Sequence, residues 1–502
     1  MRFTNFIKRF RDITRNDAGV NGDAQRIEQL TWMLFLKIYD DKERNWECFD
    51  ENFESILPEE CRWRNWASEK NIAPNKVLKG DALLNFVNET LFPKIANLSV
   101  TAEMPVHQRI IKSVFEDIHN YMKDGVLLRQ CLQLIDEGDF TDPEETHAFG
   151  QIYEEILRQL QSAGSSGEFY TPRALTDFMA GHVDLHIGDT VADLACGTGG
   201  FLNSARKWLA SEMTNDRRET INKSFYGIEK KPLPYLLAVT NLLLNDVEDP
   251  QIEHKNSLAQ KIDSYGLDDK FDVILMNPPY GGSENSSIQS NFPALMRSAE
   301  TADLFLVLIM RRLKATGRAA VIIPDGFLFG TGNKAEIKNE LLTKFNLHTV
   351  IRLPASVFAP YTSITTNIIF FDGAERTDKD GNRVGTTKQT WFYRVDMPEG
   401  YKHFSKTKPM LLSHLKDLDA WWKDRTELIV DGAPKAKAFT PEELKKLNFN
   451  LDQCGYPKNE TEILPPLELI AQYHQKRKEL QDRIDTALSS ILEKLNNKDN
   501  LA

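Results

Sequence analysis

Apolar positions recur along this chain with two different periods, and the change falls near residue 170. Before it the spacing is helical. Residues 26–39 (RIEQLTWMLFLKIY) are apolar on nearly all sides, which predicts a helix buried in a bundle rather than one lying on a surface. Further on, Asp142-Pro143 reads as an N-cap followed by the first helical residue. Phe149, Ile152, Tyr153, Ile156, Leu157 and Leu160 then recur at helical spacing. Residues 1–161 are therefore expected to form a helical domain. The run Ser162-Ala163-Gly164-Ser165-Ser166-Gly167 has no side chains to pack and is either a plain linker or a mobile lid.

From about 170 to 372 short β-rich runs alternate with helical ones. Strands are expected at 190–194, 225–228, 272–276, 319–323, 349–353 and 367–371, and helices at 201–213, 232–244, 301–314 and 334–345. Such alternation implies an α/β fold, with a mostly parallel sheet wrapped on both faces. Ligands of such sheets sit at the carboxyl ends of the strands. Residues 373–465 are mixed. Within them Asp378-Lys379-Asp380-Gly381-Asn382 reads as a turn, with a hairpin ending in 391–395. In the last segment, 466–502, Ile470, Tyr473, Arg477, Leu480, Ile484, Ala487 and Ile491 alternate spacings of three and four. That is a heptad seam broken only by Arg477, the pattern of a coiled-coil-type helix. No internal repeat of 20–50 residues is evident.

Composition narrows the field. At roughly 150 residues per domain, 502 residues suggest about three domains. With 62 basic and 73 acidic residues the net charge is −11, which argues against a chain that grips nucleic acid unaided over a wide surface. The longest uninterrupted apolar run, 304–310, is far short of the ~18 residues a membrane span needs. The start, Met1-Arg2-Phe3-Thr4-Asn5, has neither the apolar core nor the cleavage site of a secretory signal. Five widely spread cysteines (Cys48, Cys61, Cys131, Cys196, Cys454) exclude a disulfide framework and a CxxC zinc site and suggest a reducing cytoplasm.

Three segments carry chemistry. The first, Asp193-Leu194-Ala195-Cys196-Gly197-Thr198-Gly199-Gly200-Phe201, joins a strand to a helix, and its glycines let the backbone turn sharply and approach a ligand. Alone it could equally be a plain tight turn, and it is no dinucleotide fingerprint because Leu202 stands where a third glycine is expected. The next strand, Phe225-Tyr226-Gly227-Ile228-Glu229, ends in a carboxylate able to accept both hydroxyls of a ribose; alone, Glu229 reads as a solvated or capping residue. The second segment, Asn277-Pro278-Pro279-Tyr280, follows a strand. Its two prolines remove backbone donors and hold the chain extended. The Asn277 side-chain carbonyl and the Pro278 carbonyl are then expected to face outward as a pair of acceptors suited to an exocyclic amine. Tyr280 offers a ring for a planar substrate, and base stacking on such a ring is worth ~1–3 kcal/mol. The third, Glu168-Phe169-Tyr170-Thr171-Pro172-Arg173, reads as the start of a helix with Thr171 as cap, and its aromatic pair could also close over an adenine ring.

The ordered set EFYTPR, DLACGTGGF, GIE and NPPY resembles the S-adenosylmethionine-dependent amino-methyltransferases of DNA, in the segment order of their gamma group. With the helical N-terminal region and the terminal heptad helix, nearly the whole chain resembles the modification subunit of type I restriction-modification systems. The resemblance implies a Rossmann-like methyltransferase sheet at 162–372, extending to about 430, with an N-terminal helical domain and a C-terminal helix for partner binding. It implies that Glu168, Phe169, Tyr170, Thr171, Pro172, Arg173, Gly197, Thr198, Gly199 and Gly200 line the S-adenosylmethionine pocket. Asp193 would support the methionine end and Glu229 would hold the ribose. Asn277, Pro278, Pro279 and Tyr280 would hold a flipped-out adenine by its N6 amine. Phe358, in LPASVFAP, resembles the second aromatic against the base; a core phenylalanine is the other reading. Many type I relatives have Asp-Pro-Ala where this chain has Asp193-Leu194-Ala195, a departure that touches turn stiffness rather than a ligand contact.

The implied reaction is direct methyl transfer to adenine N6, with no metal and no covalent enzyme intermediate, so Cys196 is read as a small packing residue. The implied partners are DNA, a specificity subunit, a second copy of this subunit and an ATP-dependent restriction subunit, with no membrane. The same NPPY logic would serve methylation of a protein glutamine or of rRNA, and a non-catalytic subunit that holds cofactor and clamps DNA is a further alternative. No GxxxxGK[ST] occurs, so ATP-driven translocation is not expected of this chain.

Overall fold

The computed structural model describes residues 5–101, 103–142, 146, 149–150, 153–154, 156–157, 170–211, 214, 217–247, 249–359, 362, 364–379, 383–405, 407–430, 432–455 and 466–499. The chain divides into two compact units, residues 1–456 and 457–502.

The first unit begins with helices. Gly22–Phe49 is a helix of 28 residues whose stretch from Trp32 to Asp41 is buried on every side. Burial all round also takes charges inside, and these are paired: Lys37 with Asp41 at 2.6 Å and Arg64 with Asp40 at 2.9 Å. Helix Gly125–Ile135 is capped by Asp124, whose carboxylate accepts from the Val126 and Leu127 amides at 2.7 and 3.1 Å. The helix expected after Asp142 is seen at Thr146, Phe149, Tyr153, Glu154, Ile156 and Leu157. Phe149, Tyr153, Ile156 and Leu157 are buried, whereas Pro143, Ile152, Leu160, the run 162–167, Glu168 and Phe169 lie outside the described residues.

The sheet has ten strands: β1 Val191–Asp193, β2 Phe225–Glu229, β3 Gln251–His254, β4 Phe271–Met276, β5 Leu313–Pro324, β6 Asn346–Arg352, β7 Thr366–Asp372, β8 Thr390–Arg394, β9 Leu428–Val430 and β10 Ala433–Phe439. Their order is β3-β2-β1-β4-β5-β7-β6-β8-β10-β9. Pairing is parallel from β3 through β5, and β7 is inserted antiparallel between β5 and β6. Alternate residues feed opposite faces. Val273 and Leu275 join a core shared with helices Arg173–His182, Gly200–Ala210 and Pro232–Leu244 and with the N-terminal helices, while Ile274 and Met276 join the core under Thr301–Arg312 and Asn333–Lys344. On the first face the Tyr153 hydroxyl donates to the Leu237 carbonyl at 3.2 Å, tying the N-terminal helices to the sheet's own layer.

All six expected strands are present. The expected helix 301–314 ends at Arg312, because Leu313 and Lys314 already belong to β5. The hairpin ending in 391–395 is corrected: β8 runs parallel to β6 and antiparallel to β10, while an isolated antiparallel bridge joins Thr377 and Arg383, and residues 380–382 of the expected turn lie outside the described residues. The second unit shows one helix, Pro466–Asp499. Among the described residues no helix is long and apolar enough to cross a membrane.

Candidate active site

Strand order reverses about β1, where β2 leaves to one side and β4 to the other, which is where a parallel sheet opens a crevice at its carboxyl edge. The glycine-rich segment leaves β1 there. Gly197 and Gly199 take φ of +53° and +75°, a left-handed conformation that side chains disfavour, and the helix Gly200–Ala210 starts immediately after. A Cβ on Gly197 would meet nothing within 4 Å, so the turn is open at that point. Behind it, the Asn241 side chain from helix Pro232–Leu244 donates to the Thr198 carbonyl at 2.9 Å. Nothing in the local pattern of that apolar helix marks Asn241 for the task.

Glu229, at the end of β2, is 9% exposed. One carboxylate oxygen accepts from the Gly197 amide at 2.9 Å and the other from the Lys231 amide at 2.8 Å. The carboxylate therefore pins the glycine turn to the end of the second strand. Asp193 is buried and accepts from the Ala195 amide at 3.2 Å. Burial, with the Glu229 charge adding to it, pushes the Asp193 carboxyl up to about 8. Cys196 is buried, and a Cβ on Gly227 would lie 3.1 Å from its sulfur. Burial drives its thiol well above the ordinary range, as suits a packing residue.

Asn277, Pro278, Pro279 and Tyr280 leave β4 beside this turn. The Asn277 amide donates to the Thr171 hydroxyl at 2.9 Å, and the Tyr280 hydroxyl donates to the Asn277 carbonyl. The Thr171 contact joins two segments 106 residues apart, and Thr171 is not the helix cap expected from the sequence: the helix starts one residue later and the hydroxyl serves the asparagine instead. Pro172 caps helix Arg173–His182 by position, with no side-chain cap bond. Arg173 is turned back to Glu154, 2.6 Å away, with its guanidinium over the Tyr170 ring. Phe358 is buried and its ring lies 6.2 Å from that of Tyr280, at 80° between planes. The two rings meet edge to face, whereas a base between parallel rings needs them about 7 Å apart, twice a van der Waals contact. The structure thus brings together Tyr170, Thr171, Pro172, Arg173, Asp193, Gly197, Thr198, Gly199, Gly200, Glu229, the NPPY segment and Phe358 at one edge of the sheet.

Residues 144–463 match the N-6 DNA Methylase family, and residues 3–135 match the HsdM N-terminal domain. The type I restriction enzyme EcoEI methylase subunit of Escherichia coli is 44% identical over 485 residues, covering 96% of both chains. The type I restriction enzyme StySPI methylase subunit of Salmonella potsdam is 26% identical over 421 residues, 80% of this chain and 73% of the relative. Among solved structures, a chain from Vibrio vulnificus described as the modification subunit of a type I restriction enzyme is 39% identical, with a TM-score of 0.75 over 88% of this chain and 93% of that one. A chain from a type I restriction-modification system, solved in a study of complex assembly, is 33% identical with a TM-score of 0.77 over 98% of each. The parallel strands, the pinned glycine turn and the NPPY segment are therefore those of a family member: the chain belongs to the type I restriction enzyme methylase subunits and carries their N-6 DNA methylase domain.

Proposed function

We propose that this subunit transfers the methyl group of S-adenosylmethionine to the N6 amine of an adenine flipped out of DNA. The observation that carries the reading is the junction at the sheet edge, where the Thr171–Asn277 bond of 2.9 Å ties the proposed cofactor segment to the NPPY segment. The donor set suits the cofactor. Glu229 would offer carboxylate oxygens to a ribose diol and Asp193 a carboxylate to the methionine ammonium, and the turn at Gly197 is open. When bound, S-adenosylmethionine supplies an electrophilic methyl group on a sulfonium. Asn277 accepts one N–H of the base amine through its side-chain carbonyl, and the Pro278 carbonyl accepts the other. Two such acceptors favour a pyramidal nitrogen and aim its lone pair at the methyl group, so no covalent intermediate is required. Tyr280 and Phe358 receive the base face once the pair opens to admit it, the unpairing of the base itself costing a few kcal/mol.

The N-terminal helical domain (1–161), the catalytic domain (162–372, extending to about 430), the mixed region 373–465 and the C-terminal helix 466–502 divide this work. The last of these docks on a specificity subunit. A second copy of this subunit and an ATP-dependent restriction subunit complete the complex, in the cytoplasm. Methylation of a protein glutamine or rRNA is not favoured, because the likeness to a type I methylase subunit covers 96% of the chain, with the HsdM N-terminal domain matched at 3–135. Tritium from labelled cofactor, offered DNA, rRNA and protein in parallel, tests the reading; label in DNA adenine supports it and label elsewhere rejects it.

Two further outcomes are expected. Glu229→Ala should weaken S-adenosylmethionine binding by about 1.5–3 kcal/mol, the worth of hydrogen bonds to a charged group. Calorimetry that finds wild-type affinity in the folded variant removes Glu229 from the site. Asp193 sets a pH dependence. Its carboxyl titrates near 4 in the unfolded chain and about 8 when folded, so the folded state holds the extra proton between those values. Its contribution to stability is full below pH ~4 and is lost as pH rises toward about 8. A ligand ammonium beside Asp193 favours the carboxylate, so binding near pH 7 should release a proton. Calorimetry in buffers of different ionisation enthalpy should show that release, and Asp193→Asn should abolish it; no net proton change in the unmodified chain contradicts the assignment.

A further inference from the structure

We propose that Glu154 is a positioning residue of the active site, holding the Tyr170–Arg173 segment against the glycine-rich turn and, through Thr171, holding the Asn277 amide in place. The inference rests on the reading of these segments as a cofactor site. Glu154 lies on the N-terminal side of the glycine-serine run, in the helical stretch described at 153–154 and 156–157 and outside every segment the motifs single out.

Its carboxylate accepts four hydrogen bonds from three side chains. One oxygen accepts from Arg173 Nε at 2.6 Å and, more weakly, from the Tyr170 hydroxyl at 3.3 Å. The other accepts from Arg173 Nη2 at 2.9 Å and from the Asn203 amide at 3.4 Å. Arg173 is thus held by two parallel bonds along one edge of its guanidinium, the geometry that fixes orientation as well as distance. Its carbon lies 4.7 Å from the centre of the Tyr170 ring, which sets that ring too. The remaining nitrogen, Nη1, lies so close to Gly200 that a Cβ there would fall 2.1 Å from it. A side chain at the start of the helix would have to displace Arg173, which Glu154 holds there. Burial raises the Glu154 carboxyl, but the charge and hydrogen bonds of Arg173 outweigh it and keep it below its ordinary value, so the pair is ionised at neutral pH.

The chain of contacts continues to the reacting end. Thr171 sits between Tyr170 and Arg173, and its hydroxyl receives the Asn277 amide at 2.9 Å. If the segment shifts, the turn loses its wall and the asparagine its orienting partner together. A displacement on the order of 1 Å in such a constellation can cost about a hundredfold in rate. On the helix after the turn, Asn203 is buried and its side-chain oxygen has no hydrogen-bond partner, so its amide is oriented by Glu154 rather than by a donor of its own.

The test uses the full chain, with S-adenosylmethionine as the probe. Glu154→Gln keeps the shape and removes the charge. It should weaken cofactor binding about tenfold or more and slow single-turnover transfer at saturating cofactor by up to about a hundredfold. A merely structural ion pair would change the thermal midpoint but leave both the affinity and the saturated rate within about twofold of the unmodified chain, and that result overturns the proposal. A double-mutant cycle with Arg173→Met then asks whether Glu154 acts through the arginine. Glu154→Gln/Arg173→Met should bind cofactor no more weakly than Arg173→Met alone; losses that add overturn the proposal. If Glu154→Gln alone does not fold, the paired variant, which leaves neither charge buried alone, is compared with Arg173→Met under the same two criteria. Failure of the unmodified chain to bind S-adenosylmethionine removes the cofactor reading itself, an outcome distinct from normal binding that is indifferent to Glu154.

Discussion

Asn277→Ala is expected to abolish methyl transfer while leaving S-adenosylmethionine affinity within about twofold. Removing one preorganised polar group that acts only on the reacting centre costs on the order of 10²–10³ in rate. The geometry supports that separation. The Asn277 nitrogen donates to Thr171 at 2.9 Å, which leaves the other end of the amide as the acceptor. That oxygen has two lone pairs. The Tyr280 hydroxyl takes one, leaving the second to meet a substrate N–H. Alanine removes the acceptor and frees both Thr171 and Tyr280, but none of these contacts belongs to Glu229, Asp193 or the glycine turn. Single-turnover transfer and calorimetry on the same preparation separate the two effects. Wild-type transfer by Asn277→Ala would refute the mechanism, and loss of cofactor binding would show that Asn277 belongs to the other half of the site.

The site was legible in the sequence where its segments follow buried strands. β1, β2 and β4 are short runs of Val, Ala, Phe, Ile and Leu bounded by polar residues, and each ends in a motif whose chemistry is local to it. What links the motifs was not legible. Thr171 and Asn277 are 106 residues apart, and Glu154 reaches Arg173 across the glycine-serine run, so neither contact leaves a trace in spacing. Edge strands were lost for a different reason. β3 has one buried residue, Ile252, among Gln251, Glu253 and His254, and β9 buries nothing, so neither shows a two-residue period. The helix expected to reach 314 overran because no breaker separates it from β5: Leu313 is buried in both readings, and only Gly317 interrupts the pattern, inside the strand. The hairpin at 391–395 failed because β8 finds its partners in β6 and β10, a pairing set by the sheet's order rather than by the nearby turn.

Deleting residues 466–502 is expected to leave cofactor binding unchanged and to abolish both stable assembly with a specificity subunit and sequence-specific methylation. The helix Pro466–Asp499 has 34 residues, about 50 Å at 1.5 Å per residue. Ile470, Tyr473, Leu480 and Ile484 of its heptad seam are exposed, which leaves an apolar stripe for a partner's helices to cover. Sequence readout needs side chains delivered to base edges in the groove, whereas a heptad seam of this kind is built to pack against other helices. A net charge of −11 argues the same way, since a partner must then supply part of the phosphate contact. Co-purification and methylation of defined duplexes read the outcome. A truncated chain that still forms the complex or still methylates one site would show that the helix packs elsewhere.

The central claim is that the junction of the Tyr170–Arg173 segment with the NPPY segment, through Thr171 and Asn277, makes this subunit an adenine N6 methyltransferase. The most direct measurement combines the chain and its specificity subunit with S-adenosylmethionine and a duplex carrying the target site, then identifies the methylated nucleoside by mass after digestion. The account predicts N6-methyladenine, confined to the target site and absent with Asn277→Ala. A methyl group on cytosine, on a protein side chain or on no acceptor at all would contradict it.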